Sequence, residues 1–270
     1  MLIFINCFLV GASIWAPYIN RKFTSTMNYT YHLPLVIISA LIAVLASYTA
    51  LEMAAKVKNS NDNSWLIGSA IAMGTGIWSM HFVAMLAFSL PVKISYNLLL
   101  VVISLLAAIA ASFQAFFIVS RPTINPVMLI AGAASMGIGI ASMHYIGMAA
   151  MKMQAITHYN PPLFFLSVGI AVVVSLVALF LFLKFGAVGR RVNKKLQLIT
   201  AIVMGAGVSS MHYTGMAAAI FEPDYEQYVA PALIDNVSLA FLVATSTFLV
   251  LGAALAIAND KPQQKYSRPL

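Results

Sequence analysis

The chain has 270 residues, of which 61% are hydrophobic and only 8% charged, with a mean hydropathy of +0.92 and a formal net charge of +8. Soluble globular domains carry about 25% charged residues, so this chain has too little polar surface to coat a water-soluble globule, and the bilayer must be its solvent. One cysteine, Cys7, excludes an intramolecular disulfide and a cysteine-pair metal site, and the basic balance reads as the positive-inside bias of a membrane protein rather than as a nucleic-acid surface.

Residues 2–19 are apolar but marginal in length, with Pro17 near their end. They are a candidate eighth span or an uncleaved signal-like extension. No Lys or Arg precedes them, so a secretory signal peptide fits poorly, and Met27 is an alternative start. Residues 1–26 are therefore set apart as an N-terminal extension. Apolar runs long enough to cross a bilayer, about 20 residues each, follow at 33–51, 65–88, 96–119, 126–151, 162–183, 196–220 and 237–258. Short polar or proline-containing joints separate them. The expected fold is an all-α, polytopic transmembrane bundle of seven spans, closed by a short polar tail at 259–270.

The joints alternate in charge. One set holds Lys56 and Lys58, then Arg121, then Lys184, Arg190, Arg191, Lys194 and Lys195, then Lys261, Lys265 and Arg268. The other holds Arg21, Lys22, Lys93 and Lys152 with Glu222, Asp224, Glu226 and Asp235. The positive-inside rule places the first set, and the C-terminal tail, in the cytoplasm. Arg21 and Lys22 dissent, and a start at Met27 removes them.

A repeat runs through the spans. Met73-Gly-Thr-Gly-Ile-Trp-Ser-Met-His81-Phe-Val-Ala-Met85 aligns with Met136-Gly-Ile-Gly-Ile-Ala-Ser-Met-His144-Tyr-Ile-Gly-Met148 and with Met204-Gly-Ala-Gly-Val-Ser-Ser-Met-His212-Tyr-Thr-Gly-Met216. The histidines are 63 and 68 residues apart, two spans and two joints. The preceding helices echo as Ser47-x-x-Ala50, Ser112-x-x-Ala115 and Ser175-x-x-Ala178, small residues that let helices approach in lipid. Each repeat holds an even number of spans, so these are three parallel two-helix repeats about an axis along the membrane normal. Each histidine lies 7 to 8 residues before the outer end of its span, about 11 Å at helical rise. All three share one depth near the outer face, where threefold repetition permits convergence on one axis.

At about 100° per residue, the Met four residues after each histidine shares its face, the Met just before flanks it, and the aromatic just after lies on the other side. The candidate ligands are thus His81, His144 and His212, with Met80, Met143, Met211, Met85, Met148 and Met216. Imidazole with thioether, and neither Cys nor carboxylate, points to copper first. Zinc more often recruits Cys or carboxylate. Haem is less favoured, because three equal copies fit paired axial histidines poorly. The competing reading is structural: histidines as interhelical hydrogen-bond partners and methionines as flexible packing, since duplication copies a structural residue as faithfully as a ligand. Against it, nine of the fifteen methionines fall inside the three copies, and ionisable residues within a membrane are functional by default.

The glycines of Met-Gly-x-Gly serve close helix packing; no strand precedes them, so they are not a dinucleotide fingerprint. Tyr145 and Tyr213 are candidates to orient an imidazole or to join an interfacial aromatic belt, and Phe82 at the same position lacks the hydroxyl. His158 falls in an outer joint as a solvated residue or a point of metal entry, and His32 is interfacial. No Asp or Glu lies within spans two to seven, and Glu52 sits at the far end of span one, so zinc hydrolysis lacks its general base and no enzyme is expected. Copper uptake or delivery would use the same ligands as a sensor and predicts metal flux.

Ser-Met-His-Tyr-x-Gly-Met-Ala-Ala, repeated on alternate helices of a seven-span bundle, resembles the MHYT family of bacterial integral membrane sensor domains, over roughly residues 27–258. The resemblance implies a copper site near the outer face of the cytoplasmic membrane that senses oxygen, carbon monoxide or nitric oxide. It implies ligation by Met80/His81, Met143/His144 and Met211/His212, with Met85, Met148 and Met216 in the pattern. The first copy departs as Met-His-Phe. Many members continue into a cytoplasmic output domain, whereas here about a dozen residues follow the last span. The expected partners are therefore the lipid bilayer, a diatomic gas and a separate cytoplasmic signalling protein, with no nucleic acid.

Overall fold

The computed structural model describes residues 26–60, 64–121, 123–185, 194–226 and 234–259. The candidate span at 2–19 and the tail from Asp260 lie outside the described residues. Seven long helices follow one another: α1 Leu33–Ser60, α2 Ser64–Ala87, α3 Leu98–Val119, α4 Pro126–Ala150, α5 Pro161–Phe185, α6 Lys194–Ala218 and α7 Asn236–Asn259. They match the seven apolar runs to within a few residues, except that α1 continues past the charged residues Glu52, Lys56 and Lys58. Among the described residues, six of these helices are long and apolar enough to cross a membrane. The remaining one, α6, is as long but opens on Lys194, Lys195 and Gln197.

Asparagines in the joints set where helices begin. The Leu100 N–H donates to Asn97 Oδ1 at 3.1 Å, and the Met128 N–H to Asn125 Oδ1 at 2.7 Å ahead of Pro126. Each satisfies a first-turn amide that has no partner within the helix. Asp235 does the same for α7 by accepting from the Ser238 N–H at 2.8 Å, which holds its exposed carboxyl below the usual range.

The joints at one end of the bundle also form short antiparallel ladders, which the sequence reading left as plain connections. β1 Thr30–Tyr31 pairs with β2 Phe88–Ser89, β3 Ser95–Tyr96 with β4 Met151–Lys152, and β5 Ala155–Tyr159 with β6 Ala219–Pro223. β7 Ile234–Asp235 adds to β3. Each repeat is thus a helical hairpin whose entering and leaving chains are laced together. Strands of two residues carry no readable alternation, so sequence periodicity does not expose them. They also end the motif helices early: each histidine lies six residues before its helix terminus, at Ala87, Ala150 or Ala218, rather than seven to eight.

The helices α1 to α6 close into a ring in which each packs on its neighbours and α6 returns to α1. The motif helices α2, α4 and α6 touch one another on the inside, and α1, α3 and α5 fill the gaps outside. The glycines of Met-Gly-x-Gly make this packing close. A Cβ on Gly74 would lie 2.5 Å from the Ile109 backbone of α3, one on Gly137 2.5 Å from the Val172 backbone of α5, and one on Gly205 2.7 Å from the Val44 backbone of α1. The second glycines face the other neighbour: Gly76 meets Ala46 of α1, Gly139 meets Ala111 of α3, and Gly207 meets Val174 of α5. Each inner helix therefore sinks between two outer ones. α7 stands outside the ring against α2 and α1, which leaves α2 the most buried of the candidate spans. The outward faces are apolar, as with Leu33, Leu41 and Leu45 on α1 and Phe241 and Phe248 on α7, the surface expected of helices solvated by lipid.

At the end away from the strands, Lys194 of α6 pairs with Glu52 of α1 and lies over the Tyr48 ring. Arg121, just past α3, and Lys184, in the last turn of α5, stand at the same end. The strand end carries Lys93 and Lys152 with the acidic Glu222, Asp224, Glu226 and Asp235.

Candidate metal centre

Parallel inner helices with equal histidine offsets bring the three imidazoles to one level. His81, His144 and His212 are each fully buried, and every pair of rings has its centroids 5.0 Å apart in an edge-on arrangement. His81 Nδ1 lies 3.1 Å from His212 Nδ1 and 3.2 Å from His144 Nδ1. The sequence permitted this convergence, and the fold makes it.

Three neutral imidazoles cannot satisfy such a cluster alone. A hydrogen bond between two Nδ1 atoms needs the proton on one of them and a lone pair on the other. His81 Nδ1 faces both partners at hydrogen-bond distance but carries either one proton or one lone pair, so it makes at most one full hydrogen bond. Among the described residues no group reaches the other side of the rings either: the three Nε2 atoms are buried without a hydrogen-bond partner. A cation at the centre would take three Nδ1 lone pairs and leave every proton on Nε2. Three nitrogens about 2.0 Å from one ion stand about 3.3–3.5 Å apart, a few tenths of an ångström wider than found here. The donor set therefore fits one three-coordinate ion with a small outward shift of the rings.

The third residue after each motif histidine shapes this centre. A Cβ on Gly147 would lie 2.3 Å from His81 Nε2, and one on Gly215 would lie 2.4 Å from His144 Nε2. His81 and His144 are thus each seated against the backbone of the next motif helix around the ring. The equivalent residue of the first copy is Ala84, fully buried. The sequence held this signal as the Gly or Ala before the last Met of each copy, but only the packing of neighbouring repeats assigns it a role.

The six methionines next to the histidines in the motif, Met80, Met143, Met211, Met85, Met148 and Met216, are all buried in the core. Each aromatic packs edge-on against its own histidine, with ring centroids 4.7–4.8 Å apart, and the tyrosine hydroxyls reach neighbouring helices. Tyr145 OH and Ser167 Oγ of α5 are 2.7 Å apart, and Tyr213 OH and Ser39 Oγ of α1 are 3.2 Å apart. These bonds tie an inner helix to the next outer one. Phe82 stands in the same place without a hydroxyl, and Ser104 of α3 bonds back to the Val101 carbonyl at 2.7 Å. That carbonyl also accepts from Trp78 Nε1–H at 3.1 Å, so in the first copy an indole makes the link that a phenol makes elsewhere. His158 is not a free loop histidine: its Nε2 is 3.3 Å from Glu222 Oε2 across the β5–β6 ladder. One further contact joins α7 to the ring. Thr247 Oγ1 of α7 is 2.5 Å from Ser79 Oγ, two residues from His81.

A bundle of apolar helices around a buried cluster of three histidines defines a multi-pass membrane protein. The chain matches MHYT, the bacterial signalling protein N-terminal repeat, over residues 23–66, 74–132, 137–201 and 205–264. It belongs to the MHYT family. The matches number four although the histidine motif occurs three times: the last three begin at Gly74, Gly137 and Gly205, and the first covers α1 without a motif. Three signalling proteins are similar. The bifunctional diguanylate cyclase/cyclic di-GMP phosphodiesterase MucR of Pseudomonas aeruginosa is 45% identical over 235 residues, 85% of this chain and 34% of MucR. The cyclic di-GMP phosphodiesterase NbdA of the same organism is 38% identical, over 88% of this chain and 31% of NbdA. The signaling protein YkoW of Bacillus subtilis is 40% identical, over 73% of this chain and 25% of YkoW. The chain spans about a third or less of these relatives' length. No solved structure matches it.

Proposed function

We propose that this protein is a copper-dependent membrane sensor of a diatomic gas. The observation that supports this most is the convergence of three buried imidazoles, with His81 Nδ1 within 3.2 Å of the other two Nδ1 atoms and all three Nε2 atoms without a hydrogen-bond partner. The ligand set is His81, His144 and His212, with soft thioethers from the flanking methionines available in the same core; imidazole with thioether suits copper. When bound, copper would supply a redox-active centre with affinity for oxygen, carbon monoxide or nitric oxide. The chain's own residues do the rest. Apolar walls exclude water, and Gly147 and Gly215 fix the ring planes. The Tyr145–Ser167 and Tyr213–Ser39 bonds carry any shift of a motif helix to the outer ring.

All seven helices span the bacterial cytoplasmic membrane in this reading, with the basic end inside and the histidines toward the outside. A sensor needs two states that bind its ligand with different affinity. Movement of α2 reaches α7 through Ser79 and Thr247, and α7 runs to the basic end. There it meets a signalling output of the kind named in MucR and NbdA, a cyclic di-GMP cyclase or phosphodiesterase. The test is spectroscopy and hydrogen exchange on copper-loaded protein with and without nitric oxide or carbon monoxide. A gas-dependent spectral shift with altered exchange in α2 and α7 is expected. Identical spectra and exchange would contradict gas sensing.

A further inference from the structure

A second set of equivalent side chains lies deeper along the same axis. Met73, Met136 and Met204 each precede a motif histidine by eight residues, about 12 Å along the helix toward the basic end. All three are buried, and all three line one cavity of about 20 Å³ whose other walls are aliphatic or aromatic, Phe116 and Phe182 among them. The space would hold about one water, but every lining residue is apolar, so a water there would lack partners.

One turn away stand the serines of the weaker repeat. Ser47 Oγ–H, bonded to the Ala43 carbonyl at 2.8 Å, also lies 3.8 Å from Met73 Sδ. Ser112 and Ser175, its equivalents, are buried with no hydrogen-bond partner. They share a helix face with the cavity-lining Ala115 and Ala178, three residues on. Three thioethers around a dry space, with unpartnered hydroxyls beside it, are more than filler requires.

We infer that Met73, Met136 and Met204 form a second metal site, distinct from the histidine centre, that takes a soft monovalent ion, Cu(I) or Ag(I). Thioether sulphur selects Cu(I)-like ions over hard or divalent ones. No carboxylate reaches the cavity to offset a second positive charge, and a buried divalent ion without one is strongly disfavoured. The inference does not rest on copper at the histidines. It adds a station at another depth in the membrane.

The probe is Ag(I), which mimics Cu(I) without redox chemistry, bound to the full-length detergent-solubilised protein. Metal is counted by mass spectrometry, and its ligands are read by X-ray absorption. In the His81→Gln, His144→Gln, His212→Gln protein, one Ag(I) per chain should remain in an all-sulphur shell. Adding Met73→Leu, Met136→Leu and Met204→Leu should remove it. Leucine conserves volume, and the single changes Met136→Leu and Met204→Leu cover a triple variant that does not fold; each should weaken binding severalfold. No sulphur-ligated Ag(I) in the histidine variant would overturn the inference, as would binding unchanged by every leucine substitution.

Discussion

Gly147 and Gly215 are where one missing carbon shapes the centre. Gly147→Ala places a methyl 2.3 Å from Nε2 of the fully buried His81 ring, so the ring or the helix must shift. We predict a loss of about 1–3 kcal/mol from overpacking and reduced copper occupancy, read by thermal unfolding and metal analysis in detergent. The first copy already carries Ala84, so Ala84→Gly should leave copper content unchanged and cost only the helix-propensity difference of about 1 kcal/mol. Tyr145→Phe separates the two roles considered for the aromatic position. Loss of the Ser167 bond should cost about 1 kcal/mol, because Ser167 keeps its bond to the Phe164 carbonyl, while copper content stays unchanged. A fall in copper content would restore the tyrosine to an orienting role. The histidines and their equal depth were legible in the sequence because duplication repeated them at a fixed offset. The seating of His81 and His144 against the next repeat was not, since it joins residues more than 60 positions apart and leaves no local pattern.

Helices meet here through paired glycines, and the two kinds of glycine should respond oppositely to the same change. Gly137 faces the Val172 backbone, which cannot yield, so Gly137→Leu should cost about 3 kcal/mol or more and prevent assembly of the ring. Gly169 and Gly252 have open space around them. Replacing either with Ala should stabilise by about 0.5–1 kcal/mol through helix propensity, measured by unfolding in the same detergent. The sequence showed the helices clearly because each is a long apolar run between charges. It showed Met-Gly-x-Gly as a packing signal without saying that the two glycines face different neighbours. The ladders of β1 to β7 were illegible: two to five residues between long helices offer no periodicity, and their pairing is fixed by the ends of distant hairpins.

Three hairpins and a seventh helix make a ring with an appendage. The ring accounts for the threefold centre, and α7 breaks the symmetry by covering α2, so one repeat differs from the others in what it touches. Thr247→Val tests whether this asymmetry carries signal. It removes the hydroxyl near Ser79 and should leave copper content unchanged while abolishing the gas-dependent exchange difference in α7. An exchange difference that persists would assign transmission elsewhere. The measurement that tests the whole account most directly is copper stoichiometry of the purified protein. It is compared with the His81→Ala, His144→Ala, His212→Ala variant, with helicity checked by circular dichroism. Copper in the wild type whose histidine-ligated share is lost in a variant of unchanged helicity is the predicted result. Copper absent from both after reconstitution, or retained by the variant with unchanged ligation, would contradict it and leave the histidines as packing between helices.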